Sequence, residues 1–149
     1  MKILEGQVAL ITGATRGIGA AILEKLGQAG ARVVGTATSE AGAKAIQDSI
    51  DAAGWNGAGM TLNVTDAAQC DAVVKAVEEK FGSVGILVNN AGVTRDGLLM
   101  RMKDEEWQSV IDTDLTSVFR LSRAVMRGMM KARAGRIINI GSVVGFMGK

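Results

Sequence analysis

Short apolar runs alternate along this chain with segments in which apolar residues recur every three or four positions. Val8-Ala9-Leu10-Ile11 is the first run, and a glycine-rich turn carries it into helical spacing at Ile18, Ala21, Ile22, Leu26 and Ala29. Gly27 and Gly30 offer stops, after which Ala31 to Thr36 reads as a second buried strand. Residues 41 to 53 form a modest helix ending near Gly54, and Gly57 to Leu62 a third, weaker strand. Asp66 with Gln69 has the spacing of a capping box for a helix whose stripe is Ala67, Cys70, Val73, Val74 and Val77, and Gly82 closes it after Phe81. Val84 to Val88 is a fourth strand. Asp104 then caps a long helix, with Glu105 and Glu106 in the first turn, where the helix dipole favours them. Its stripe runs through Trp107, Val110, Ile111, Leu115, Val118, Phe119, Ser122, Val125, Met126 and Met129, and is read as core or a helix-helix interface. Arg136 to Ile140 is a fifth strand. Strand, helix and strand at these spacings make right-handed crossovers between parallel strands, an α/β domain with a doubly wound sheet.

Composition narrows the classes without choosing among them. The 149 residues, 48% hydrophobic and 21% charged, suit one ordinary globular domain. The longest uncharged stretches, 52 to 65 and 81 to 94, are too short and too rich in glycine and polar residues for a membrane span. The N-terminal residues pass almost directly into the first strand, and no signal sequence is expected there. One cysteine, Cys70, suits a reducing, cytoplasmic compartment and reads as a small core or surface residue. No histidine exists, which excludes a Ser-His-acid nucleophile within the chain and leaves no metal-ligand set. Charge is uneven. Residues 1 to 115 hold ten Lys/Arg and all fifteen Asp/Glu, whereas Thr116 to Lys149 hold seven basic residues and no acidic one. Such a block either steers an acidic partner or is a solvated helix face. Nucleic acid is disfavoured, because no aromatic residues interleave the charges.

Candidate chemistry gathers at the strand ends. Thr12-Gly13-Ala14-Thr15-Arg16-Gly17-Ile18-Gly19 lies between the first strand and the first helix, as a phosphate-binding turn does. Gly13 and Gly17 let the backbone turn sharply, and Gly19 lets the helix sit close. The spacing is G-x-x-x-G-x-G, and a tight turn alone also explains it. At the end of the second strand no carboxylate stands before Glu40, so nothing there is placed to hold a ribose 2′-hydroxyl. Arg16, with the hydroxyls of Thr38 and Ser39, can instead meet a 2′-phosphate, which favours NADP over NAD. Glu40 is the residue that argues against this, and Arg16 also reads as a solvated loop cation. Asn63, at the end of the third strand, either reads an adenine edge or makes a turn. Asn89-Asn90-Ala91-Gly92 can brace the sheet and line a groove, or be a turn. Ser142, after the fifth strand, is placed to hydrogen-bond a substrate carbonyl.

In their joint order and spacing the glycine turn, Asn89-Asn90-Ala91-Gly92 and Ser142 resemble the classical short-chain dehydrogenase/reductases. The segments 35 to 40, 94 to 107 and 140 to 145 are similar, within that family, to the bacterial reductases of 3-oxoacyl groups carried on acyl carrier protein. The resemblance covers the whole chain. It implies a single NADP-binding Rossmann-type domain over residues 1 to 149 with strand order 3-2-1-4-5. It implies that Gly13, Ala14, Thr15, Arg16, Gly17, Ile18, Gly19, Thr38, Asn63, Val64, Asn90, Ala91 and Gly92 form the NADPH site, and that Ser142 orients the substrate keto oxygen. Hydride passes to C3 of the thioester while a Tyr, in a Tyr-x-x-x-Lys motif, gives the proton. Arg133 matches a position that meets the acidic carrier protein, and the long helix pairs with its mate in a homotetramer.

Two departures qualify what is implied. The sequence holds no tyrosine, and the expectation is that the C-terminal part of the domain, with further strands, is absent from it. A complete chain would instead be a non-catalytic nucleotide-binding relative; another ketone or alcohol oxidoreductase is a further alternative. In the long helix Asp114 stands where the family has an Asn that supports a water relay to the Lys. An ionised carboxylate cannot donate, and it adds negative charge near a cation, so Asp114 is expected to impair that relay.

Overall fold

The structure is a computed structural model that describes residues 2–90 and 103–140. Five parallel strands form one sheet in the order β3-β2-β1-β4-β5. They are β1 (Val8–Ile11), β2 (Arg32–Ala37), β3 (Gly57–Thr61), β4 (Ile86–Asn89) and β5 (Arg136–Asn139). The expected order holds. Helices α1 (Gly17–Gln28) and α2 (Glu40–Ala53) cover one face, and α3 (Ala67–Phe81) with α5 (Ser117–Ala132) covers the other. All four residues of β1 are buried, as expected of a strand packed on both sides. Its side chains divide alternately between the faces. Val8 and Leu10 join Val74, Val77, Leu121 and Val125, while Ala9 and Ile11 join Leu23, Ile46 and Ile50.

Local chemistry sets the helix ends. Ser39 caps α2 by accepting from the Gly42 amide at 3.1 Å, and Gly54 ends that helix in the left-handed conformation. Asp66 caps α3 through the Gln69 amide at 3.2 Å, as its spacing predicts. The Gln69 side chain reaches back to the cap through its Nε2, which donates to Asp66 Oδ2 at 3.1 Å, but its Oε1 accepts from the Asn63 amide at 2.9 Å and not from the Asp66 amide, which donates to the Asn63 carbonyl. Gly27 is not a stop: α1 runs through it to Gln28, and a Cβ there would lie 2.6 Å from the Trp55 ring. The glycine seats the indole, and the chain turns at Gly30, where φ is +98°.

The predicted long helix is interrupted. An α-helical segment α4 (Asp104–Val110) passes into a π-helical stretch (Ile111–Thr116) before α5 resumes. Asp104 is the first residue of α4 and not its cap; Lys103 takes that position and makes no side-chain capping bond. Asp104, Glu105 and Glu106 all lie in the first turn, so their charges still complement the dipole. The apolar stripe is divided as well. Leu121 and Val125 are buried against the sheet, whereas Leu115, Phe119 and Met130 are between 59% and 71% exposed, with Trp107 and Met126 also outward.

Candidate functional site

In a doubly wound parallel sheet the carboxyl ends of the strands form the crevice where ligands collect. Here that edge is shaped by the turn from β1 to α1. Gly13 and Gly17 have φ of +63° and +62°, the left-handed region that the sequence anticipated for them. Gly19 lets α1 approach the turn and not only the sheet: a Cβ would overlap the Gly13 carbonyl oxygen and lie 2.5 Å from Asn90 Nδ2. Around Gly17 a Cβ would meet nothing within 4 Å, so the turn is open to solvent. The early amides of α1 have no partner four residues back, and the positive end of the helix lies at this opening.

Asn90 fixes the turn from the far side. Its amide donates to Thr12 Oγ1 at 3.0 Å, and its Nδ2 donates to the Gly13 carbonyl at 3.0 Å. Thr12 is itself tied to β4, its amide donating to the Val88 carbonyl at 3.1 Å. The Ala14 amide donates to the Thr36 carbonyl at 2.9 Å, binding the same turn to the end of β2. Thr15, Arg16, Gly17 and Ile18 remain exposed. Arg16 is the N-cap residue of α1 in extended backbone and spends no side-chain bond on capping. A pyrophosphate needs a glycine turn, free helix amides and an accessible cation, and these residues supply all three.

The rest of the crevice is built from neighbouring strand ends. Thr38, Ser39 and Glu40 follow β2 and are exposed. Ser39 already accepts from the Gly42 amide, so its hydroxyl proton is what it can offer a ligand. Thr15 lies beside them, its Cγ2 being 3.0 Å from where a Cβ on Gly42 would stand. Asn63 does make the turn the sequence allowed: its Oδ1 accepts from the Thr65 amide at 3.0 Å and from the Thr65 hydroxyl at 2.6 Å. Val64 is buried, and its carbonyl accepts from Cys70 Sγ at 3.6 Å. Burial pushes the Cys70 thiol up, with Asp71 and Asp66 adding to the shift and Arg120 opposing it, which is the reverse of an activated nucleophile.

The two asparagines after β4 divide their work. Asn89 Nδ2 donates to Asn139 Oδ1 at 2.9 Å, bracing β4 to β5 where the register sets the two residues side by side. Among the described residues Asn89 Oδ1 is buried with no hydrogen-bond partner. The sequence reading missed Asn139; two asparagines closing adjacent strands at one height were the available signal. Ala91, Gly92 and Ser142 lie outside the described residues, and Asp114 falls in the π-helical stretch. Arg133, exposed, ends α5 well away in sequence from the turn. Among the described residues no cluster of His, Cys, Asp or Glu could hold a metal, and no helix is long and apolar enough to cross a membrane.

Comparison with known proteins gives this geometry its setting. The family model described as short chain dehydrogenase matches residues 7–149. The chain is 65% identical over 145 residues to the 3-oxoacyl-[acyl-carrier-protein] reductase FabG of Vibrio cholerae serotype O1. It is 64% identical over 144 residues to the protein of the same name from Escherichia coli K12, and 56% identical over 145 residues to that of Pseudomonas aeruginosa. Each match takes in 97% of this chain but only 58% to 59% of the relative.

Proposed function

The chain belongs to the short-chain dehydrogenase family, and from that membership we propose that it forms the coenzyme-binding part of an NADPH-dependent reductase of 3-oxoacyl groups on acyl carrier protein. The observation that carries the reading is the glycine turn, opened by Gly13 and Gly17 and tied by Asn90 to the end of β4. In this reading Gly13 to Gly19 hold the pyrophosphate, Asn63 and Val64 border the adenine, and Asn90 with Ala91 and Gly92 lines the groove toward the nicotinamide. Arg16 and Thr38 take the 2′-phosphate, a role supported by the exposed guanidinium, which makes no capping bond. NADPH supplies the hydride when bound. Ser142 donates a hydrogen bond to the substrate keto oxygen, which favours the alkoxide that develops there. The proton comes from a tyrosine in the family resemblance, and no tyrosine is among these 149 residues.

The partners follow the charge and the apolar surface. The basic tract from Arg123 to Arg136, Arg133 above all, meets the acidic carrier protein. The outward row of Trp107, Leu115, Phe119, Met126 and Met130 packs against a second copy in a homotetramer, a role suited to large apolar side chains left uncovered. The cytoplasm is the proposed compartment, consistent with a lone cysteine that forms no disulfide.

Fluorescence titration tests the coenzyme. NADPH is expected to bind at least about tenfold more tightly than NADH, a gap worth ~1.4 kcal/mol, and Arg16→Ala is expected to close it. Equal affinities in the unaltered protein would overturn the NADP assignment. Turnover of acetoacetyl-carrier-protein against a free ketone then separates the proposed substrate from a general ketone reductase. Tight NADPH binding with no turnover of either by the full-length protein identifies a non-catalytic nucleotide-binding relative.

A further inference from the structure

The turn that borders the proposed adenine site is closed on itself. Asn63 Oδ1 accepts twice from Thr65, the Asp66 amide donates to the Asn63 carbonyl at 3.0 Å, and Gln69 Oε1 receives the Asn63 amide. Every one of these partners lies within six residues of the other. Local bonds of this kind fix the shape of a turn, but they do not fix where the turn stands relative to the strands beside it. A contact from elsewhere in the chain has to do that.

Arg120 makes such a contact. It projects from the first turns of α5, 55 residues away in sequence, and its Nη1 donates to the Thr65 carbonyl. The neighbouring side chains of α5 are committed elsewhere: Leu121 is buried in the core, and Phe119 is exposed with the Arg123 guanidinium 4.9 Å from its ring centre. Arg120 is thus a member of the basic tract that turns toward the crevice, and it is half-buried in doing so. We propose that Arg120 is a positioning residue for the adenine end of the coenzyme site, holding the Asn63–Val64 turn at its working height through the Thr65 carbonyl. A planar guanidinium on a rigid helix suits this task, since it reaches a carbonyl with little loss of freedom. The proposal rests on the coenzyme reading above and adds to it a residue that touches no coenzyme.

Calorimetric titration with 2′,5′-ADP, which carries the adenine and the 2′-phosphate but no nicotinamide, reads this role directly. Arg120→Met keeps the volume and removes the donor; it is expected to weaken 2′,5′-ADP by about fivefold, the equivalent of one ordinary hydrogen bond. Arg120→Lys restores a donor and is expected to return the affinity to within about twofold of the unaltered protein. In the whole enzyme the KM for NADPH should rise in Arg120→Met by a similar factor with kcat unchanged. Unchanged 2′,5′-ADP affinity in Arg120→Met, or a loss that Arg120→Lys does not recover, overturns the positioning role while leaving the coenzyme site standing. Failure of the unaltered protein to bind 2′,5′-ADP overturns the coenzyme reading and this inference with it.

Discussion

Arg133 is the only non-glycine residue among those described whose φ is positive, at 56°. It ends α5 where glycine is the usual choice, with its own amide donating to the Met130 carbonyl and the Ala134 amide to the Met129 carbonyl, both at 3.2 Å. A side chain in this conformation costs about 1–2 kcal/mol. Arg133→Gly is therefore expected to raise the urea-unfolding free energy by ~1 kcal/mol while weakening binding to the carrier protein. Arg133→Ala keeps the strain and removes the charge, so it should weaken carrier binding without the gain in stability. A stabilised glycine variant with unchanged carrier affinity would leave Arg133 as an ordinary cap. Asp114 poses a different problem, of charge and not of backbone. Asp114→Asn replaces an acceptor by a side chain that also donates, and steady-state kinetics of the full-length enzyme should show a higher kcat and an altered pH profile. Identical kcat and pH profile in the two forms would remove Asp114 from the proton relay.

At the level of elements, β3 shows how glycine both blurs and builds the fold. In sequence it reads as a weak strand, because glycine and alanine have little preference for extended structure. In the structure those glycines let α2 come down onto it: a Cβ on Gly59 would overlap the Ala43 carbonyl oxygen and stand 2.9 Å from the Gln47 amide nitrogen. Gln47 also closes the strand's free edge, accepting from the Gly59 amide at 3.3 Å and donating to the Gly57 carbonyl at 3.4 Å. Satisfied edge groups offer less of a template to another strand. Gly59→Ala forces backbone apart and is expected to lose about 2–3 kcal/mol of unfolding free energy in urea, against ~1 kcal/mol for Gln47→Ala. Equal small losses would mean that α2 yields easily. The interruption between α4 and α5 has the opposite history. Apolar spacing over Trp107 to Met129 fits one regular helix, and nothing in it marks the π-helical stretch at Ile111–Thr116.

For the molecule as a whole, the sheet was legible because every strand but β3 is built on a short apolar run and each crossover has a helix-length spacing; the order β3-β2-β1-β4-β5 came from the family likeness. The positions of the turn glycines and of Asn90 were legible because parallel strands put their ends on one edge. What could not be read was which polar group meets which, since Asn89 with Asn139 and Arg120 with Thr65 depend on register and helix rotation. A further property follows from composition and structure together. Histidine, which ordinarily titrates between pH 5 and 8, is absent, and so is tyrosine, leaving one thiol as the side chain that titrates just above neutrality. Cys70 is buried beside the Val64 carbonyl and its pKa is raised by that burial. A thiol that holds its proton more firmly when folded contributes stability that is complete below its unfolded pKa, about 8.5, and is lost as pH climbs from there through the folded value. The urea midpoint should accordingly stay level from roughly pH 6 to 8 and then fall, the thiol adding at most ~1.4 kcal/mol per pH unit to the slope. Cys70→Ala should start from a lower, constant offset and lack that share of the alkaline decline. Parallel declines in the two proteins would show that the thiol ionises as easily folded as unfolded.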